Sequence, residues 1–283
     1  MESIKLSILI PTYNYRSGFN KILDSIESIE DDLRDYIEII ISDDSDEEII
    51  QKNRNDNLEK LFKNYIYNRN VDTLGAVNNW NKLISKAKGD YIWLLHHDES
   101  WQKEKNLIKY IFQVINMAKP NILILPILRS KNINFNNFKI QISNRHITYK
   151  KILGHFIKNP KLLFKTNIIG PPSSLIYKKN TISYDKRLKY LVDVEFYIRL
   201  FNFYNSKKII VGSNNYNLIS CQNNKNSITK SLRKQIRSLK NKERILIISK
   251  YKFNYNFQEK ILSLYSFIIL KINLILTTKI NIY

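Results

Sequence analysis

The sequence predicts an α/β protein with a mostly parallel central sheet, flanked by helices on both faces and closed by a basic, helical C-terminal extension. Two patterns carry this expectation. Short apolar, β-branched runs alternate with segments whose apolar residues recur at helical spacing, the signature of strands joined by crossover helices. Three of these runs stop abruptly on polar or acidic groups, at Thr12-Tyr13-Asn14, Ser42-Asp43-Asp44 and His97-Asp98-Glu99. In an open α/β sheet, ligands bind outside the carboxyl ends of the strands.

Leu6 to Ile10 reads as the first strand, and Phe19, Ile22, Leu23, Ile26 and Ile29 trace the helix that follows. Ile37 to Ile41 is a second strand, Tyr65-Ile66-Tyr67 a third, and Val77, Trp80, Leu83, Ile84 and Ala87 form a helix face before a strand at Tyr91 to Leu95. Leu107, Ile108, Ile111, Phe112 and Ile115 mark another helix, followed by a strand from Ile122 to Leu125. From Asn132 to Asn144 the chain turns polar and Asn-rich, which predicts a mobile connection or lid. Beyond it, Tyr149 to Ile157 is expected to be helical, Leu175-Ile176-Tyr177 a strand, and Tyr190 to Phe203 a helix of mixed apolar and acidic character. Two long basic and apolar helices are expected to close the chain. This divides the protein into a donor-type half at 1–128, a second half of the same domain at 129–222, and a C-terminal region at 223–283.

With 283 residues and 43% hydrophobic content, the chain can bury one large core. A single cysteine, Cys221, excludes an internal disulfide and a thiolate zinc cluster, and fits a reducing compartment. The opening residues lack the flanks of a secretory signal. The apolar stretch from Ile261 to Thr277 is interrupted by Ser263, Ser266, Lys271 and Asn273, short of the roughly 20 apolar residues that a spanning helix needs. The expected location is the cytoplasm, with peripheral contact on the inner face of the membrane. The net charge of +21 has two readings: the series Lys225, Lys230, Arg233, Lys234, Arg237, Lys240, Lys242 and Arg244 suits an anionic membrane surface, and the abundance of Asn, Ile and Lys suits compositional drift.

The most informative segment is Tyr91 to Trp101, an apolar run that delivers an acidic cluster to a sheet edge, where carboxylate oxygens can hold a hard cation against phosphate. Pro11 to Gly18 lacks the glycines of a dinucleotide-binding turn or a Walker loop. It offers a rigid proline and a tyrosine that can stack on a base. Asp43 and Asp44 can accept hydrogen bonds from a uracil imide or ribose, although acids at such positions also cap helices. His96 and His97, as strand neighbours, should face opposite sides and form no shared zinc site, and on a still-extended backbone Glu99 would point away from Asp98. His146 and His155 read as surface or partly buried residues.

Taken together, Ser7 to Asn14, Glu38 to Ser45, Gly75 to Asn81, Ala87 to Ile92 and His97-Asp98-Glu99 resemble glycosyltransferase family 2 in order and spacing. The resemblance covers residues 4 to 130 and, more loosely, 165 to 220. It implies a Rossmann-like GT-A fold and inverting sugar transfer from a nucleotide sugar, UDP-linked, to a glycan or lipid-linked acceptor in bacterial surface polysaccharide synthesis, assisted by Mn²⁺ or Mg²⁺. It places Pro11 and Tyr13 against the base, Asp43 and Asp44 against uracil or ribose, Asn79 near base or phosphate, and Asp98 on the metal. His97 stands where the family often has another aspartate. Asp193 falls on the family's acceptor-side acid and is the expected general base, with Glu195 the alternate. Pro172, Ser173 and Ser174 match an acceptor-side loop that would also serve as a plain turn.

Two other classes compete. A nucleotidyltransferase would show a glycine-rich basic loop after the first strand. A nucleic-acid-binding protein would cluster cations with aromatics on one face, whereas here acids occupy the strand ends; no nucleic-acid partner is expected.

Overall fold

The computed structural model describes residues 3–102, 106–135, 138–146, 150–213, 215–221, 235–252 and 279–282. The strands, in chain order, are β1 (Leu6–Thr12), β2 (Ile37–Asp43), β3 (Asn64–Arg69), β4 (Tyr91–Leu94), β5 (Glu99–Ser100), β6 (Ile122–Ile124), β7 (Ile127–Phe135), β8 (Phe138–His146), β9 (Leu175–Lys178), β10 (Ile209–Val211), β11 (Leu218–Cys221) and β12 (Lys279–Ile282). The helices are α1 (Arg16–Glu27), α2 (Asp31–Arg34), α3 (Lys52–Leu61), α4 (Ala76–Lys86), α5 (Leu107–Ala118), α6 (Lys150–Lys158), α7 (Val192–Phe203) and α8 (Ile236–Tyr251).

A seven-stranded sheet runs in the order β10-β6-β9-β4-β1-β2-β3. β1 lies parallel to β2, with Leu6 opposite Ile37 and Thr12 opposite Asp43, and parallel to β4, with Leu6 opposite Tyr91. Every residue of β1, β2 and β4 is buried, which explains their unbroken apolar runs: a parallel sheet covered on both faces has no solvent side to mark with polar residues. α1 covers one face with Phe19, Ile22, Leu23 and Ile26, and α4 brings Trp80 and Leu83 to the other. β9 enters antiparallel between β4 and β6, so the sheet is mixed rather than purely parallel.

The segment before β4 is fixed by a buried polar lock. Glu38 accepts hydrogen bonds from the Ser7 hydroxyl (2.6 Å) and the Lys88 N–H (2.8 Å), while the Gly89 N–H donates to Ser7 Oγ (2.8 Å). A Cβ at Gly89 would sit 2.7 Å from the Ser7 backbone. The Lys88-Gly89-Asp90 motif therefore sets the entry of β4 and, through it, the position of the acidic turn at its far end.

Two expectations are corrected. The polar stretch at 132–144 belongs to a β-hairpin: β7 and β8 pair antiparallel from Ile127 opposite His146 to Phe135 opposite Phe138, within a second sheet ordered β12-β8-β7-β11-β5. Polar composition could not separate a lid from a hairpin, because its ladder is satisfied by backbone groups. The C-terminal region is not helical throughout, since β12 pairs antiparallel with β8. α8 is docked on the domain: its buried Glu243 accepts the N–H groups of Lys189 (2.7 Å), Tyr190 (3.1 Å) and Leu191 (2.7 Å), at the start of α7. Of the basic series, Lys225, Lys230, Arg233 and Lys234 lie outside the described residues, as does the apolar stretch 261–277. Among the described residues no helix is long and apolar enough to cross a membrane.

Candidate active site

At the ends of β1 and β2 the chain ties itself together. The Asp44 N–H donates to the Thr12 carbonyl (2.9 Å), the Asn14 N–H to Ser45 Oγ (2.8 Å), and the Asn14 amide to Asp46 (2.7 Å). Asn14 adopts φ 45°, a left-handed conformation that asparagine tolerates, and the turn leaves the Tyr13 ring exposed at the strand end. Pro11 is buried within β1.

Asp43 and Asp44 are both buried and both occupied. Asp43 accepts the Ser45 N–H (2.9 Å) and the Tyr67 hydroxyl (2.6 Å). Asp44 accepts the Leu74 N–H (3.0 Å), the Gly75 N–H (2.9 Å) and the Asn70 amide (2.6 Å). Gly75, at φ 77°, is the residue before α4, so Asp44 satisfies donors at a helix start from across the sheet. Asn79 is likewise turned inward, donating to the Ser42 carbonyl (3.0 Å). On α4, Asn79 lies on the buried face, one position before Trp80.

The end of β4 behaves differently. After Leu95 the backbone turns, with the Glu99 N–H donating to the His96 carbonyl (3.1 Å), and Glu99 enters β5 opposite Ser220. The expectation of a still-extended chain with Glu99 pointing away is therefore corrected. A ring nitrogen of His96 and one carboxylate oxygen each of Asp98 and Glu99 lie within 4.8 Å of one another. Glu99 also accepts the His96 N–H (3.3 Å). His96 stacks on Trp80 at 5.1 Å, its Nε2 is buried with no hydrogen-bond partner, and burial pushes its pKa down to about 4. The ring is neutral at pH 7 and keeps a lone pair. His97 goes to the other side: it lies 5.6 Å from the Tyr15 ring and 3.3 Å from the Pro11 carbonyl, which can only accept, so Nδ1 carries the proton. Burial lowers the His97 pKa as well. The two histidines make separate contacts, His96 with Trp80 and His97 with Tyr15 and Pro11.

α7 supplies the third centre. Asp193 accepts the Val194 N–H (2.8 Å) and the Asn167 amide (3.1 Å). The residue keeps a partly exposed surface while its carboxyl is packed by protein, and that burial raises its pKa to about 6 against the opposing hydrogen bonds. Glu195, two residues on, is fully buried among donors: Arg199 (2.7 Å), Lys250 (2.7 Å) and the Tyr251 hydroxyl (2.5 Å). Burial pushes the Glu195 pKa up, but these donors outweigh it and hold it below the ordinary value. Ser173 and Ser174 are fully buried, and Pro172 is buried with them. The Ser173 carbonyl accepts from Trp93 Nε1 (2.8 Å), so this turn backs the sheet and does not offer its hydroxyls to the surface.

The second and third centres are joined. His96 stacks on Trp80, Trp80 meets Tyr184 edge-on at 5.1 Å, and Tyr184 stacks on Phe196 of α7 at 4.0 Å.

Residues 7–182 match the family description "Glycosyl transferase family 2". The chain belongs to glycosyl transferase family 2. The match takes in the ends of β1, β2 and β4 but stops before α7, so Asp193 and Glu195 lie outside it. The abequosyltransferase RfbV of Salmonella typhimurium is 37% identical over 103 residues, covering 35% of this chain and 29% of that protein. The poly(ribitol-phosphate) beta-glucosyltransferase of Bacillus spizizenii is 26% identical over 210 residues, covering 74% of this chain and 31% of that protein. The chain thus spans under a third of the length of these relatives. Among solved structures, S. aureus TarS 1-349 in complex with UDP-GlcNAc aligns at TM-score 0.57 and 18% identity, covering 80% of this chain and 60% of that one. The mannosyltransferase PcManGT from Pyrobaculum calidifontis, in complex with GDP-Man and Mn2+, aligns at TM-score 0.53 and 9% identity, covering 90% of this chain and 66% of that one. These likenesses establish the GT-A fold.

A divalent cation fits the family 2 turn at 96–99. The orphaned Nε2 of a neutral, buried histidine beside two carboxylates offers such a cation a mixed nitrogen and oxygen donor set. Sequence reasoning set His96 aside because it judged the strand to continue. The missing signal was the reversal at His96 to Glu99, whose hydrogen bonds are made in part by β11, more than a hundred residues away.

Proposed function

We propose that this family 2 domain is an inverting glycosyltransferase that moves a sugar from a UDP-sugar to a hydroxyl of a glycan or lipid-linked oligosaccharide. The observation that carries the reading is the pair of unlike acidic centres linked by the rings of Trp80, Tyr184 and Phe196: a turn that brings a buried histidine nitrogen and two carboxylates within 4.8 Å, and on α7 a carboxyl whose burial raises its pKa to about 6 with no cation beside it among the described residues. UDP as the nucleotide is supported by the TarS fragment of the same fold, whose structure holds UDP-GlcNAc. A bacterial surface polysaccharide setting is supported by the names of the Salmonella and Bacillus relatives.

In this reading Tyr13, exposed at the end of β1, stacks on the base. Asp43 and Asp44 shape the base pocket by fixing loops 44–49 and 70–75. Asp98, with His96 and Glu99, holds Mn²⁺ or Mg²⁺, which when bound neutralises charge on the leaving diphosphate. His97, neutral and anchored to Pro11, lines the ribose or phosphate side. Asp193 accepts the proton of the acceptor hydroxyl as its oxygen bonds to the anomeric carbon and the bond from that carbon to the β-phosphate oxygen breaks. A pKa of about 6 leaves the carboxyl ionised at pH 7 yet close enough to neutrality for proton transfer. Glu195, saturated by cations, serves the structure. Ile245 and Ile248, exposed on α8 beside Lys242, suit the anionic surface at which a lipid-linked acceptor would reside.

Thermal stabilisation across a panel of nucleotide sugars, with and without Mn²⁺, tests the donor site. A shift specific to UDP-sugars and dependent on Mn²⁺ is expected. No shift with any UDP-sugar at millimolar concentration removes the reading.

A further inference from the structure

Asn167 lies outside the sheet core and outside the turns that would meet a donor, yet all of its amide is engaged. Its Oδ1 accepts the N–H groups of Ile169 (3.0 Å) and Gly170 (3.1 Å). Its Nδ2 donates to the Gly170 carbonyl (2.9 Å) and to Asp193 Oδ2 (3.1 Å). The Gly170 carbonyl takes a second hydrogen bond from the Tyr197 hydroxyl (3.1 Å), one helical turn beyond Asp193. Gly170 sits at φ +108°, and a Cβ there would lie 2.8 Å from Ser174 Oγ. A turn whose backbone only glycine readily adopts is thus tied to α7 through two side chains, Asn167 and Tyr197.

We propose that Asn167 is a positioning residue, holding the Asp193 carboxylate in a fixed plane toward the acceptor and locking it to the Gly170 turn. The inference rests on the reading of Asp193 as the base. Asp193 Oδ1 is occupied by the Val194 N–H and Oδ2 by Asn167. With both oxygens held, the carboxylate cannot rotate freely, and each oxygen retains a lone pair for an incoming proton. Alignment of this kind is worth more to the rate than its modest hydrogen-bond energy suggests, because the reacting oxygen must be met at close to 3 Å.

The titratable groups facing Asp193 are Tyr184, from the segment before α7, Tyr197, on α7, and Glu243, from α8. Burial raises both phenols well above their ordinary value, so they stay neutral. Glu243 is engaged by the N–H groups of residues 189–191 and adds negative charge. Asn167 therefore supplies the side-chain donor that offsets burial at the base.

The test compares Asn167→Asp with Asn167→Ala, reading Mn²⁺-dependent release of UDP from UDP-GlcNAc with water as acceptor. Asn167→Asp keeps the oxygen that the Ile169 and Gly170 N–H groups need but turns a second carboxylate on Asp193. We expect a fall in kcat of at least about tenfold at pH 7, a shift of the acid limb of the pH profile upward by about one unit, and UDP affinity within about twofold of the parent. Asn167→Ala should show a smaller upward shift, and carries the test should Asn167→Asp fold poorly. An unshifted acid limb in both variants overturns the proposal, whatever happens to the melting temperature. Asp193→Asn measured alongside separates the failures. If it retains turnover, the base reading falls; if it is inactive while the Asn167 limb stays put, only the role of Asn167 falls.

Discussion

The ends of β2 and β4 both carry consecutive acids at the carboxyl edge of the same sheet, yet the fold treats them in opposite ways. At β2, Asp43 and Asp44 are surrounded by five short donors from the protein itself. At β4, Asp98 accepts no hydrogen bond among the described residues, and the neighbouring His96 keeps a buried nitrogen without a partner. Identical chemistry in the sequence becomes a structural clamp in one place and, in the other, a cluster with a donor nitrogen that has no partner among the described residues. The same contrast recurs within two residues on α7, where Glu195 is wrapped in cations and Asp193 meets only neutral donors, the Val194 N–H and the Asn167 amide, among the described residues. An acid that the fold has already satisfied has little left to give a substrate, whereas one that the fold leaves short is available for chemistry.

The largest effect expected from this contrast is on Asp193. Asp193→Asn should lower sugar transfer by about 10²–10⁴-fold with UDP affinity nearly unchanged, measured by turnover and calorimetric titration. Asp98→Ala comes next, with a loss of about 10²–10³-fold in turnover and of Mn²⁺ binding followed by electron paramagnetic resonance; full activity after chelation would end the contrast at β4. Glu195→Gln should leave turnover per folded molecule within about twofold but cost about 1–3 kcal/mol of stability by removing the charge that Lys250 and Arg199 share, read by denaturant unfolding. Asp44→Asn should cost a similar or smaller amount, because one of its acceptors would become a donor facing the Leu74 or Gly75 N–H. If Glu195→Gln proves inactive yet fully stable, the assignment of roles on α7 is reversed.

The smallest effect is one of pH. The fold holds the Asp193 pKa at about 6, above the ordinary carboxylate value of 3.8, so the neutral form is favoured. Its contribution to stability is complete below about pH 4 and is lost as pH rises through about 6. Asp193→Asn, neutral throughout, should therefore gain on the parent in melting temperature above pH 6 and lose that advantage towards pH 4. Activity runs the other way, rising through about pH 6 as the base ionises.

Much of the first half of the chain was legible because its signals are local. Unbroken apolar runs such as Leu6 to Ile10 and Ile37 to Ile41 can be satisfied only by burial on both faces, and all of β1 and β2 is buried. The helical spacing of Phe19, Ile22, Leu23 and Ile26 likewise gave the face that α1 buries. The hairpin at 132–144 and the hydrogen-bond partners of Asn79 were not legible. Composition does not say where backbone hydrogen bonds find partners, and an asparagine on a helix serves either face.

By itself the sequence determined an alternating α/β chain, the strand ends that carry acids, and the order of motifs that family 2 membership bears out. Only the tertiary structure decided which acids are spoken for. That choice depends on donors distant in sequence: Leu74 and Gly75 for Asp44, Asn167 for Asp193, Lys250 and Tyr251 for Glu195. A carboxylate's availability is set by the balance of burial against donors within hydrogen-bond reach, and that balance exists only once the chain has brought them together.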